Sequence, residues 1–121
     1  MNQISQETVT ITTTGGDGAA TGSGTTIPIN GLLLDVFLNY HASAPATTDV
    51  TISDSVFGNL LVKSNNATDI WLAPRKQTCD GAAVDTGLYD LIPVHGQLTI
   101  AVAGANALTG CLVATIRWLE Q

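Results

Sequence analysis

The sequence predicts an all-β fold, an antiparallel β-sandwich of about eight strands in one domain, and three observations predict it. Apolar residues recur at every second position, the period of a half-buried strand, rather than at helical spacing. β-branched residues fill these runs, while glycine, proline, asparagine and aspartate bound them. No longer segment carries an i, i+3, i+4, i+7 stripe with the capping residue a helix needs.

The first run, TVTITTT, places Val9 and Ile11 on one face and Thr8, Thr10 and Thr12 on the other. The stretch from Thr12 to Thr26, TTTGGDGAATGSGTT, then holds five glycines and a single charge, Asp17. A phosphate loop would need GxxxxGK[ST], or GxGxxG leading into a helix. No lysine occurs before Lys63 and no helical pattern follows, so phosphate binding is rejected. GGDG instead supplies the positive-φ residues of a tight hairpin turn. AATGSGTT returns as a strand of small residues, whose glycines let another backbone come close. Such a strand belongs at a sheet edge or against another subunit.

The run LLLDVFLNY, Leu32 to Tyr40, is too continuously apolar for an amphipathic helix. It reads as a strand buried on both faces, with Asp35 and Asn39 near its edges. TDVTISDS alternates on Val50 and Ile52, and GQLTIAVAG on Leu98, Ile100 and Val102. GCLVATIRWLE sets Leu112, Ala114, Ile116 and Trp118 against Val113, Thr115 and Arg117. The runs fall at 7–14, 19–26, 31–40, 48–54, 58–63, 67–73, 88–93 and 96–103, with a last at 109–119. About eight strands result, one run merging with a neighbour or failing. The longest interruption, RKQTCDGAAVDTG at 75–87, reads as an extended surface loop.

With 121 residues the chain is long enough to bury a core without a metal or a disulfide. Only 12% of its residues are charged, against about 25% in an ordinary soluble domain. A surface so poor in Lys and Glu is covered either by Ser, Thr, Asn and Gly or by a partner. No run reaches the ~18 apolar residues of a membrane helix, and MNQISQETVTI lacks the basic and apolar regions of a secretion signal. The net charge of −6, with four basic residues, argues against a nucleic-acid surface. Cys79 and Cys111 read as reduced thiols in a chain without an export signal, a disulfide being the alternative.

Candidate chemistry is sparse. His41 and His95 lack partners at metal-ligand or general-base spacing and read as exposed turn residues. Asp80, Asp85 and Asp90 miss the pattern of a calcium loop. They read as solvated turn aspartates, calcium binding being the alternative. Trp71 and Trp118 lie in alternating strands and are expected in the core or a subunit interface rather than on a sugar-stacking surface. No metal, cofactor or enzymatic activity is expected.

The order of segments, a TTTGGDGAAT turn, IPINGLLLDVFLNY, TDVTIS, GNLLV, TDIWLAPR and a closing VHGQLTIAVAGANALTGCLVATIRW, resembles the small capsid decoration (cement) proteins of tailed bacteriophages. The likeness is one of pattern over nearly the whole chain. It implies a jelly-roll-like sandwich, a homotrimer, the major capsid protein as partner and a place on the virion surface after assembly in the host cytoplasm. It transfers no catalytic residue. The two cysteines and the acidic loop at 80–90 depart from it. Residues 1–6 read as an arm ahead of a domain at 7–121, too short and polar for a core of its own. On a virion that arm, through Asn2, Gln3, Ile4, Ser5 and Gln6, is expected to lie along the capsid. The alternative function is a virion-associated receptor- or carbohydrate-binding module of the same fold. An exposed aromatic patch of Trp71 with Tyr40 or Tyr89, beside polar side chains, would distinguish it.

Overall fold

The computed structural model describes residues 3–79 and 84–121. Eleven strands lie among them: β1 (Ile4–Ile11), β2 (Ala20–Thr25), β3 (Ile29–Tyr40), β4 (Asp49–Asp54), β5 (Gly58–Lys63), β6 (Ile70–Leu72), β7 (Lys76–Cys79), β8 (Val84–Asp90), β9 (Ile92–Gly96), β10 (Leu98–Ala105) and β11 (Leu112–Glu120). One sheet runs β1-β11-β3-β6, with β9 also on β3; the second runs β2-β10-β4-β5. All pairings are antiparallel.

β11 occupies one edge of β3 along Gly31–Tyr40. The other edge is shared: β9 pairs with Ile29–Leu33 and β6 with Val36–Leu38. β6 and β9 are therefore two halves of one strand position. Counting them once gives two four-stranded sheets whose order is that of a jelly roll. This reconciles about eight expected strands with the eleven found.

The interruption is a hairpin, and it corrects the expected surface loop at 75–87. β7 and β8 pair only with each other, through Lys76↔Asp90, Gln77↔Tyr89 and Cys79↔Val84. Residues 34 and 35 of β3, opposite the break, have no strand partner on that edge. Arg75 closes the gap, its Nη1 donating to the Leu34 carbonyl at 2.8 Å.

The glycine-rich stretch forms a turn, but it corrects the expected hairpin: β1 and β2 lie in different sheets and are joined only by an isolated bridge, Thr14↔Thr21. Thr14 and Thr21 exchange both backbone hydrogen bonds at 2.9 Å, with Gly15 (φ 127°) and Gly18 (φ 74°) between them. β2 is the edge strand of its sheet, yet it folds back close to β1. A side chain at Gly22 would fall on the Thr12 carbonyl, and one at Gly24 on Val9. Small residues are the condition for that approach.

Alternation fixes the core. Ile11, Leu38, Ile52, Ile100, Leu112 and Ile116 are fully buried between the sheets, each contributing roughly 1.5–3 kcal/mol from burial. The buried threonines are hydrogen-bonded, Thr13 Oγ1 donating to the Asn106 carbonyl and accepting the Leu108 N–H. Thr26 Oγ1 donates to the Ile27 carbonyl and accepts from Leu98 N–H, while Thr48 Oγ1 donates to the Pro45 carbonyl. Cys111 is a free, buried thiol. The first strand begins at Ile4, three residues before the expected run, and pairs at once with Leu119 of β11.

Candidate functional site

β3 is not buried on both faces: one face looks inward along its length, and a bulge changes which residues lie on it. Ile29, Gly31 and Leu33 face inward, as do Val36, Leu38 and Tyr40. The parity changes between them because the register with β11 skips Leu34, going from Leu33↔Trp118 to Asp35↔Arg117. Asp35, Phe37 and Asn39 consequently lie on the outer face. A purely alternating strand would have pointed Asp35 into the core.

Cross-strand register assembles two adjacent rows on that outer face. Thr8, Thr115, Phe37 and Trp71 stand side by side across β1, β11, β3 and β6. Gln6, Arg117 and Asp35 form the neighbouring row, displaced by about 7 Å along the strands. Trp71 is 67% exposed and Phe37 40%. Together with Gln6, Asp35, Thr115 and Arg117 they line a depression of about 410 Å³.

The two charges in this depression are fixed on each other. Arg117 donates from Nε to Asp35 Oδ1 at 2.7 Å and from Nη2 to Oδ2, a two-pronged pair. The hydrogen bonds from Arg117 hold the Asp35 carboxyl below its ordinary range, against the opposing effect of burial, and the Trp71 side chain adds to the lowering. The same contact pushes the Arg117 guanidinium up.

A second apolar surface lies at the β4–β5 turn. Asp54 Oδ1 accepts the backbone N–H groups of Val56 and Phe57 at 2.7 and 3.1 Å, which holds the turn in place. Val56 and Phe57 stand 78% and 79% exposed. Depressions of about 530 and 470 Å³ flank Phe57, one reaching Leu32 and His95, the other Arg75, Lys76 and Ile92. Pro93 borders both.

The residues singled out by sequence are scattered. Asn2 and Asp80 lie outside the described residues, as do the side chains of Cys79 and Asp85. Gln3 is exposed; Ile4, Ser5 and Gln6 belong to β1, and only Gln6 reaches the Trp71 depression. His95 is exposed but sits in β9 rather than a turn, opposite Asn30. His41 is exposed and accepts the Ser43 N–H at Nδ1. Asp90 Oδ1 accepts the Leu91 N–H. Among the described residues, no group of three or more His, Cys, Asp and Glu side chains is arranged to hold a metal.

Trp118 lies in the core, at 2% exposure, whereas Trp71 lies on the surface of the single chain. Of the tyrosines named beside Trp71, Tyr40 is buried, and Tyr89 is exposed on the inserted hairpin. The aromatic partner is Phe37, which the sequence reading placed inside. The sequence does carry a signal for Trp71. Ile70 and Leu72 flank it, so alternation sends the tryptophan to the face opposite both.

Comparison with known proteins gives little beyond this geometry. No family model and no curated protein sequence matches the chain. Similar solved structures include a periplasmic inhibitor of g-type lysozyme from Aeromonas hydrophila, at 10% identity and a TM-score of 0.41, covering 98% of this chain and 86% of that one. A CBM36 domain of a multidomain xylanase from the hindgut metagenome of Trinervitermes trinervoides aligns at 14% identity and TM-score 0.38, covering 95% and 94%. The extra small virus of the prawn Macrobrachium rosenbergii, as a virus-like particle, aligns at 11% and 0.37, covering 99% and 80%. At such scores these likenesses carry no functional weight. The assignment as an all-β jelly-roll sandwich rests on the strand order.

Proposed function

We propose that this chain is a structural virion protein, a decoration subunit that binds the outside of a tailed-phage capsid as a homotrimer and stabilises the shell. The observation that carries this reading is apolar exposure combined with scarce charge. Val56, Phe57, Val62, Leu88 and Tyr89 all stand open, on a chain with four basic and ten acidic residues. Large exposed side chains gathered beside one another, as Val56 and Phe57 are, mark surfaces made for contact. The phage, the major capsid protein as partner and the number three come from the sequence resemblance.

Attachment through the N-terminal segment, Asn2 to Gln6, fits the topology. β1 is the terminal strand of its sheet, so one of its edges faces no strand among the described residues. An extended segment there adds main-chain hydrogen bonds to a neighbouring chain. Three such segments on a trimer raise attachment by avidity, roughly 10²–10⁴-fold where geometry permits.

The test is electron microscopy of undecorated shells mixed with the purified protein, with light scattering of the protein alone. Bound trimers on the shell exterior are expected. Truncation of residues 1–3, which removes one backbone hydrogen bond, from Glu120 N–H to the Gln3 carbonyl, and leaves the pairing from Ile4 onward, is expected to change the melting temperature little and to reduce occupancy. A monomer at micromolar concentration, or bare shells, would refute the reading.

A further inference from the structure

We propose that the outer face of the β1-β11-β3-β6 sheet binds a neutral pyranose, with Trp71 and Phe37 as the stacking platform, Arg117 and Gln6 as the hydroxyl-reading groups and Asp35 as the residue that positions Arg117. This goes beyond the decoration reading and does not depend on it.

The first argument is the setting of the aromatic pair. Phe37 and Trp71 lie directly opposite each other across β3 and β6, close enough to act as one surface. Thr8 and Thr115 share their row, and Asn39, Val113 and Thr10 lie beyond it. On the other side the row of Gln6, Arg117 and Asp35 separates the rings from an apolar row of Ile4, Leu119, Leu32 and Pro93. A protein partner or a second copy seeks a broad apolar centre from which charge is depleted, whereas here an ion pair interrupts the apolar surface. A small amphipathic ligand, with one apolar face and a polar rim, fits that setting, as a pyranose does.

The second argument is the chemistry of the neighbouring row. Asp35 and Arg117 hold each other through Oδ1, Oδ2, Nε and Nη2. The Asp35 side chain is only 12% exposed, so the open member of the pair is the guanidinium, at 42%. Its remaining N–H groups are held at fixed positions, which suits the oxygens of vicinal hydroxyls. Gln6 and Thr115 add an amide and a hydroxyl on the same depression. Because Asp35 already neutralises Arg117, a phosphate or carboxylate would have to displace it. A neutral sugar does not. The spacing agrees: a ring stacked on the indole places its hydroxyls over the next row, about 7 Å along the sheet. The depression of about 410 Å³ lies in the range of small-molecule sites.

The third argument is the placement of Trp71. Ile70 and Leu72 face the core side of β6 and pack against the buried cluster, while the indole faces out beside Asp35.

The full chain is to be laid over an array of neutral and acidic glycans and titrated calorimetrically with cellotetraose, mannotetraose, galactotetraose and chitotetraose. Binding of at least one neutral glycan at millimolar concentration or below is expected. Trp71→Ala should weaken it at least about fivefold, and Asp35→Asn should weaken it as well. Tyr89→Ala, which removes an exposed aromatic from the inserted hairpin, should retain it. The melting temperature of Trp71→Ala should match that of the parent chain. The proposal is overturned if no neutral glycan binds, or if binding survives Trp71→Ala unchanged. It is equally overturned if Trp71→Ala lowers the oligomeric mass, which would make this face a contact between copies.

Discussion

Trp118 and Trp71 stand on opposite faces of the same sheet. Trp118, on β11, points between the sheets at 2% exposure, and its Nε1 donates to Glu120 Oε1 at 2.7 Å. Trp71, on β6, points outward beside Phe37 and over the Asp35–Arg117 pair. One indole fills the sandwich; the other is displayed by it. The difference separates what the inner face does, which is to hold the fold, from what the outer face is free to do.

The sharpest way to break that division is to truncate each indole. Trp118→Ala should cost about 3–5 kcal/mol in urea unfolding, the usual loss for a buried aromatic. Trp71→Ala should stay within about 0.5 kcal/mol, as exposed positions do. Comparable losses at both sites would mean that the outer face is also structural.

Adjacent residues of β3 repeat the comparison on a smaller scale. Leu38 is fully buried, and Leu38→Ala should cost about 2–5 kcal/mol. Phe37→Ala, one residue away on the other face, should cost less than about 1 kcal/mol. Equal costs would contradict the parity change at Leu34.

The smallest effect is one of pH. The Asp35 carboxyl is lowered in the fold, so its pairing stabilises the protein above the unfolded value of about 3.9. That contribution is constant from neutral pH down to about 4 and is lost as pH falls through the lower folded value. The stability gap between the parent chain and Asp35→Asn should therefore hold at neutral pH and close below about pH 4. A gap that persists undiminished at lower pH would show that the contact is not ionic.

The inner face was legible in the sequence because burial imposes a local period of two. Val9 and Ile11, Val50 and Ile52, and the run from Leu112 to Trp118 all point where alternation sends them. The grouping of residues on the outer face was not legible, for physical reasons specific to those residues. LLLDV gives no local mark that Leu34 is a bulge, since apolar residues surround it; only the register with β11 defines it. Asp35 and Arg117 are 82 residues apart and meet through strand pairing alone. The shared edge of β3 was hidden too, because the hairpin at 76–90 separates β6 from β9 in sequence while leaving them collinear in space.

Acrylamide quenching of tryptophan emission, at a concentration where the chain is assembled, tests the open outer face most directly. Two populations are expected in the parent chain, one solvated and quenchable, the other shielded. Trp71→Phe should remove the quenchable population and leave the shielded one. Emission shielded throughout in the parent chain, or a quenchable fraction that survives Trp71→Phe, would contradict the account.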